Sequence, residues 1–148
     1  MIKNQKGITL IELLATLTIL TIISGLVYGV LIGTTKNYQK LSSKADLSRE
    51  ANLILATVKN VHEKTGKTAG NTNAEYEIDF LSGQYMIGEK NASSNPLHSK
   101  KFSVEVYKNH ALVNGKTKIS SLQPLTIKVI VKDSNGQSYE VDTIIKKH

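Results

Sequence analysis

One carboxylate, Glu12, stands near the start of an apolar run from Ile8 to Ile32, and the only other ionisable side chain in that run is the phenol of Tyr28. A lone acid in a segment of lipid length is costly, so it normally has a partner and a task. The chemistry open to it is charge pairing. In a low-dielectric setting, a carboxylate and a cation that each lack another partner attract strongly, and neither is comfortable alone. The plain alternative is an acid near the headgroups that is simply solvated.

Other groupings that could do chemistry are weaker. Gly66-Lys67-Thr68 mimics the end of a phosphate-binding loop, but Val61 occupies the position five residues earlier where that motif needs glycine. The tripeptide also follows a predicted helix, whereas the motif opens one. Asp133-Ser134-Asn135-Gly136 looks like part of a calcium loop, yet no bidentate glutamate follows at the required spacing and a turn accounts for it. His62-Glu63 does not extend to a zinc-protease pattern, because Gly66 stands where the second histidine belongs. His98, His110 and His148 are scattered, and Asn91-Ala92-Ser93 fits a glycosylation sequon in a loop. The chain has no cysteine, which removes thiolate ligands, thiol nucleophiles and disulfides. No catalytic residue, metal ligand or cofactor site is read from the sequence.

The elements that position Glu12 come next. A helix from Ile8 to Ile32 would be roughly 37 Å long, and a bilayer core of about 30 Å needs about 20 residues, so the segment can span. It is longer than the apolar region of an ordinary secretory signal and lacks a small-x-small cleavage site at its far end. Lys3 and Lys6 precede it, and Lys36, Lys40 and Lys44 follow, so the positive-inside rule is nearly balanced. The very short head favours an inside N-terminus with the C-terminal domain outside. Gly25, Gly29 and Gly33 fall four apart on one helix face. That spacing permits close helix packing, and glycine also softens a helix; both readings stand.

Residues 7–12, Gly7-Ile8-Thr9-Leu10-Ile11-Glu12, with their short basic leader, resemble the class III signal of type IV prepilins and pseudopilins. The one departure is Ile8, where phenylalanine is usual. The resemblance implies cleavage between Gly7 and Ile8 by a membrane prepilin peptidase and N-methylation of Ile8 by the same enzyme. It implies an assembly role for Thr9, Leu10 and Glu12, with the Glu12 carboxylate meeting the free amine of a neighbouring subunit. It also implies partners: other pilin or pseudopilin subunits, the membrane, and an assembly platform with a separate ATPase. The motif covers about 30 residues of the chain.

With 148 residues, the chain beyond the anchor is just long enough for one core. Losing Lys3 and Lys6 with the leader would lower the formal charge from +7 to +5. Lys100, Lys101, Lys108, Lys116, Lys118, Lys128, Lys132, Lys146 and Lys147 could touch nucleic acid, but ordinary surface charge explains them too. The aromatics that single-strand binding would expose fit the core instead.

The organisation read from these features is a leader at 1–7, an assembly and transmembrane helix at 8–33, its amphipathic continuation at 34–65, and an antiparallel β domain at 66–148. The fold class is α+β. Tyr38, Leu41, Ala45, Ala51, Ile54, Leu55, Val58, Val61 and His62 recur at helical steps, and Thr65-Gly66 is the predicted stop. Tyr76, Ile78 and Phe80 alternate into a Ser82-Gly83 turn, which pairs Phe80 with Tyr85 and Ile78 with Ile87. Phe102, Val104 and Val106 alternate again, Ala111 to Val113 returns, and Asn114-Gly115 closes it. For the last hairpin, a three-residue loop with Gly136 left-handed pairs Val129 with Val141 and Val131 with Tyr139. It places Lys128 opposite Asp142. The resulting expectation is a minor pilin or pseudopilin of a pilus, secretion or DNA-uptake filament. A single-span anchored binding domain that never polymerises is the alternative.

Overall fold

The computed structural model describes residues 8–68, 74–89 and 95–146. Among the described residues one helix, α1 (Leu10–Thr68), is followed by eight strands, all of them paired antiparallel, so the fold is α+β. The helix runs past the predicted stop at Gly66, which keeps a right-handed backbone, and Lys67 lies in the last turn where the helix dipole favours a cation. The chain falls into two units, one ending at Leu41 and the other beginning at Ser42.

In the first unit every large apolar side chain from Ile8 to Ile32 is exposed. The helix is long and apolar enough to cross a membrane. Its threonines deal with their own polarity. Thr16 donates to the Leu13 carbonyl at 2.9 Å, and Thr18 and Thr21 to those of Leu14 and Leu17 at 2.8 Å. Thr34 and Thr35 repeat the pattern on Val30 and Leu31 at 2.8 Å. Hydroxyls satisfied within the helix present no unpaired polar group to lipid.

In the second unit, Leu47, Ala51, Ile54 and Val58 form the buried stripe of α1, at steps of three and four residues. The stripe read from the sequence begins earlier, at Tyr38. That part is corrected: Tyr38 is 72 % and Leu41 69 % exposed, because burial against the strands starts only at Leu47.

The strands form two four-stranded sheets rather than one. The first has the order β3 (Asn95–Pro96), β2 (Gln84–Glu89), β1 (Glu75–Leu81), β6 (Thr117–Ser120). The second has the order β5 (Ala111–Leu112), β4 (Ser103–Lys108), β7 (Leu125–Lys132), β8 (Ser138–Ile145). The chain leaves the second sheet after β5, supplies β6 to the first, and returns at β7. Tyr85 ties the sheets together by donating its hydroxyl to the Val113 carbonyl at 2.9 Å. Tyr76, Ile78, Ile87 and Ile119 of one sheet and Val106, Ile127, Val129 and Val131 of the other join the helix stripe in one core.

Register follows the turn chemistry. Phe80 pairs with Tyr85 and Ile78 with Ile87 across Ser82-Gly83, where both turn residues have positive φ, as a two-residue hairpin of this hand requires. Val129 pairs with Val141, Val131 with Tyr139 and Lys128 with Asp142, with Gly136 at φ +79°. Asn109 and His110, both at positive φ, make an unpredicted turn between β4 and β5.

Candidate functional site

The start of α1 is built by its own first residues. Thr9 precedes the first helical residue, Leu10, and Glu12 lies in the first turn. The Thr9 backbone N–H and its hydroxyl both donate to Glu12 Oε2 at 2.9 Å, and the Glu12 N–H points back to Thr9 Oγ1 at 3.4 Å. This is a capping box, in which a threonine and a glutamate three residues on satisfy each other's orphan groups. It also suits the charge, since a carboxylate at a helix N-terminus faces the positive end of the dipole. The pattern Thr9-Leu10-Ile11-Glu12 carries that signature in plain sequence.

Ile8 precedes the box and Leu10 lies within it, and both are exposed. The predicted cleavage position Gly7, the leader 1–7, the sequon at 91–93, Lys147 and His148 lie outside the described residues. Gly25, Gly29 and Gly33 sit in the helix, and a Cβ added at any of them would meet nothing within 4 Å. In the isolated chain the glycine face is therefore open to approach.

The weaker groupings resolve into structure. Gly66-Lys67-Thr68 is the last turn of α1. Asp133 organises the β7–β8 turn: its Oδ1 accepts the N–H groups of Asn135 at 2.9 Å and Gln137 at 2.8 Å, and its Oδ2 accepts the Ser43 hydroxyl at 2.8 Å. Desolvation pushes this carboxyl up, but the hydrogen bonds from Ser43, Gln137 and Asn135 outweigh it and hold it below the usual range. Both oxygens are thus engaged within the turn and by the helix. Among the described residues no group of three or more acids and histidines gathers as a metal set.

Much of the lysine charge on the sheets is already engaged. Lys116 pairs with Glu77 at 2.8 Å, Lys128 with Glu140 at 2.6 Å and Lys132 with Glu105. In each case the hydrogen bond to the carboxylate raises the lysine's affinity for its proton. Lys128 thus leans diagonally to Glu140 rather than across to Asp142. Lys101 lies 3.7 Å from Asp46 and 5.1 Å from the Phe102 ring centre.

Against known families, residues 2–28 match the prokaryotic N-terminal methylation motif. That motif is the class III prepilin signal of type IV pilins and pseudopilins. The match supports a type IV pilin-like precursor processed by prepilin peptidase, and it implies assembly with other pilin subunits. The apolar helix and the motif together fit a membrane-anchored precursor, and the motif is that of a structural protein rather than an enzyme. No curated protein and no solved structure matches the chain.

Proposed function

We propose that the chain is a structural subunit, a minor pilin or pseudopilin, of a type IV pilus-like filament or of a secretion or DNA-uptake pseudopilus. The observation that carries this reading is the methylation motif at residues 2–28, whose glycine, Gly7, directly precedes the apolar run that begins at Ile8 in the sequence. The chain enters the membrane with its N-terminus inside and its β domain outside. Cleavage between Gly7 and Ile8 frees the Ile8 amine, which is methylated. The subunit then joins the filament through its apolar helix, from Ile8 into the stretch ending at Gly33. Glu12 sets axial register by pairing with a neighbour's amine, and a separate ATPase supplies the work through an assembly platform.

The capping box supports a two-state role for Glu12. Before assembly its carboxylate is held by Thr9, so the acid is not left unpaired in the anchor. After assembly a cationic amine competes for the same oxygen and brings a full opposite charge, whose attraction is strong where the dielectric is low.

The test is quantitative peptide mass spectrometry of sheared surface filaments beside cell membranes. A peptide beginning at methylated Ile8, present in filaments at trace level against another pilin, is the expected result. The same peptide as the dominant species would make this the major subunit. Only uncut chain confined to membranes would overturn the proposal in favour of an anchored domain that does not polymerise.

A further inference from the structure

We propose that Lys36 and Lys40 form a docking surface for anionic phospholipid headgroups on the outer side of the membrane, setting the depth of the anchored subunit. The proposal rests on the reading of residues 8–33 as a membrane span.

The two lysines are four residues apart in α1, so they share one face, one turn apart. Both are exposed, and neither makes an ion pair among the described residues. No acid occurs in the sequence between Glu12 and Asp46, so nothing nearby on the helix neutralises them.

Their height matches the headgroup layer. If hydrocarbon ends near Gly33, Lys36 lies about 4.5 Å beyond it and Lys40 about 10 Å, at 1.5 Å per residue. The polar layer on each side of a bilayer is roughly 5–7 Å thick. Lys36 therefore sits within it, and the long stem of Lys40 lets its ammonium reach back to phosphate. Tyr38, between them in sequence and largely exposed, is the residue type that anchors at this level. The Thr34 and Thr35 hydroxyls are already bonded to the carbonyls of Val30 and Leu31, so the helix enters the interface with those groups satisfied.

Charge placement points the same way. With the N-terminus inside, lysines just outside the span work against the positive-inside bias. They do not help orientation, whereas favourable contact with anionic lipid on that side gives them a use.

The experiment places the full chain in nanodiscs of equal phosphatidylglycerol and phosphatidylcholine and ejects it for native mass spectrometry of retained lipid. Resistance to alkaline carbonate extraction from vesicles of the same composition is scored first. The expected result is carbonate-resistant insertion and phosphatidylglycerol retained over phosphatidylcholine by on the order of tenfold, from the attraction of two lysines. Lys36→Gln with Lys40→Gln should bring the ratio near one, while Lys3→Gln with Lys6→Gln should leave it high. A chain washed out by carbonate would overturn both the span reading and this proposal. An inserted chain with no lipid preference, or one whose preference survives the Lys36 and Lys40 changes, would overturn the lipid proposal alone. If the double variant keeps wild-type lipid ratios but fails to enter filaments, the lysines serve a neighbouring subunit's acid and the lipid assignment is wrong.

Discussion

His62 and Tyr76 meet inside the β domain with ring planes at 88° and centres 5.7 Å apart, and His62 Nδ1 lies 3.2 Å from the phenolic oxygen. The contact joins the last turns of α1 to the first strand after it, and both side chains are fully buried. Burial pushes the imidazole below its ordinary value of 6.5, partly offset by the Gln123 backbone and Glu63, and burial raises the phenol.

A stability profile follows from that burial. A histidine whose proton affinity is lower folded than unfolded favours the unfolded chain once the unfolded imidazole charges. The stabilisation is fully present above the ordinary value of 6.5 and declines as the pH falls below it. Glu105, held low by the Lys132 hydrogen bond, and Asp133 act in the same direction, but only through the more acidic carboxylate range. Thermal unfolding of the full chain in detergent micelles should therefore lose midpoint temperature between about pH 7 and 5.5. His62→Gln should flatten that slope. An unchanged slope in the variant would assign the effect elsewhere.

The capping box gives a local prediction. Thr9→Ala removes the hydroxyl that serves both Glu12 Oε2 and the Glu12 N–H. Loss of a threonine cap typically costs about 1 kcal/mol, so amide exchange in the first turn should quicken by about fivefold. Thr9→Ser should restore it. Equal exchange in all three proteins would mean that the box does not persist in a micelle.

The glycine face separates chain stability from assembly. Gly29→Ala should strengthen the isolated helix by about 1 kcal/mol. Gly29→Leu should leave membrane levels unchanged and sharply reduce the filament fraction, because bulk on that face holds neighbouring helices apart. Undiminished incorporation of the leucine variant would remove Gly25, Gly29 and Gly33 from the packing surface.

The terminal hairpin offers a backbone test. Gly136 has φ +79°, where a side chain is strained, although a Cβ there would meet nothing within 4 Å. Gly136→Ala should lower stability by about 1–2 kcal/mol. Ile54→Ala, which empties part of the core, should cost about 2–5 kcal/mol. If both variants unfold at the same midpoint, the balance between turn and core has been misjudged.

Legibility in the sequence tracked how local each determinant is. The registers at Ser82-Gly83 and Gly136 were readable because turn type and period-two alternation lie within a few residues. The division into two sheets was not, because it depends on β6 leaving one sheet for the other, and nothing in Asn114-Gly115 marks a crossing rather than a turn. The Asn109-His110 turn lacks glycine, although asparagine tolerates that backbone. At the candidate site, Glu12 stood out because an acid in an apolar run is rare. Its intramolecular partner Thr9 is equally local, three residues away at capping-box spacing. The contact of His62 with Tyr76 joins separate elements, and spacing alone cannot predict it.

The Ser43 hydroxyl, bonded to Asp133 at 2.8 Å, has a mechanical consequence. It fastens the tip of the last hairpin to α1 one turn before Leu47, where the buried stripe begins. A pull on α1 from its N-terminal side would meet Ser43 before Leu47. The first bond of the β domain to carry that load is this one, which shares it with a turn 90 residues away in sequence. Such a pull would reach the last two strands through this bond before it reaches the buried stripe.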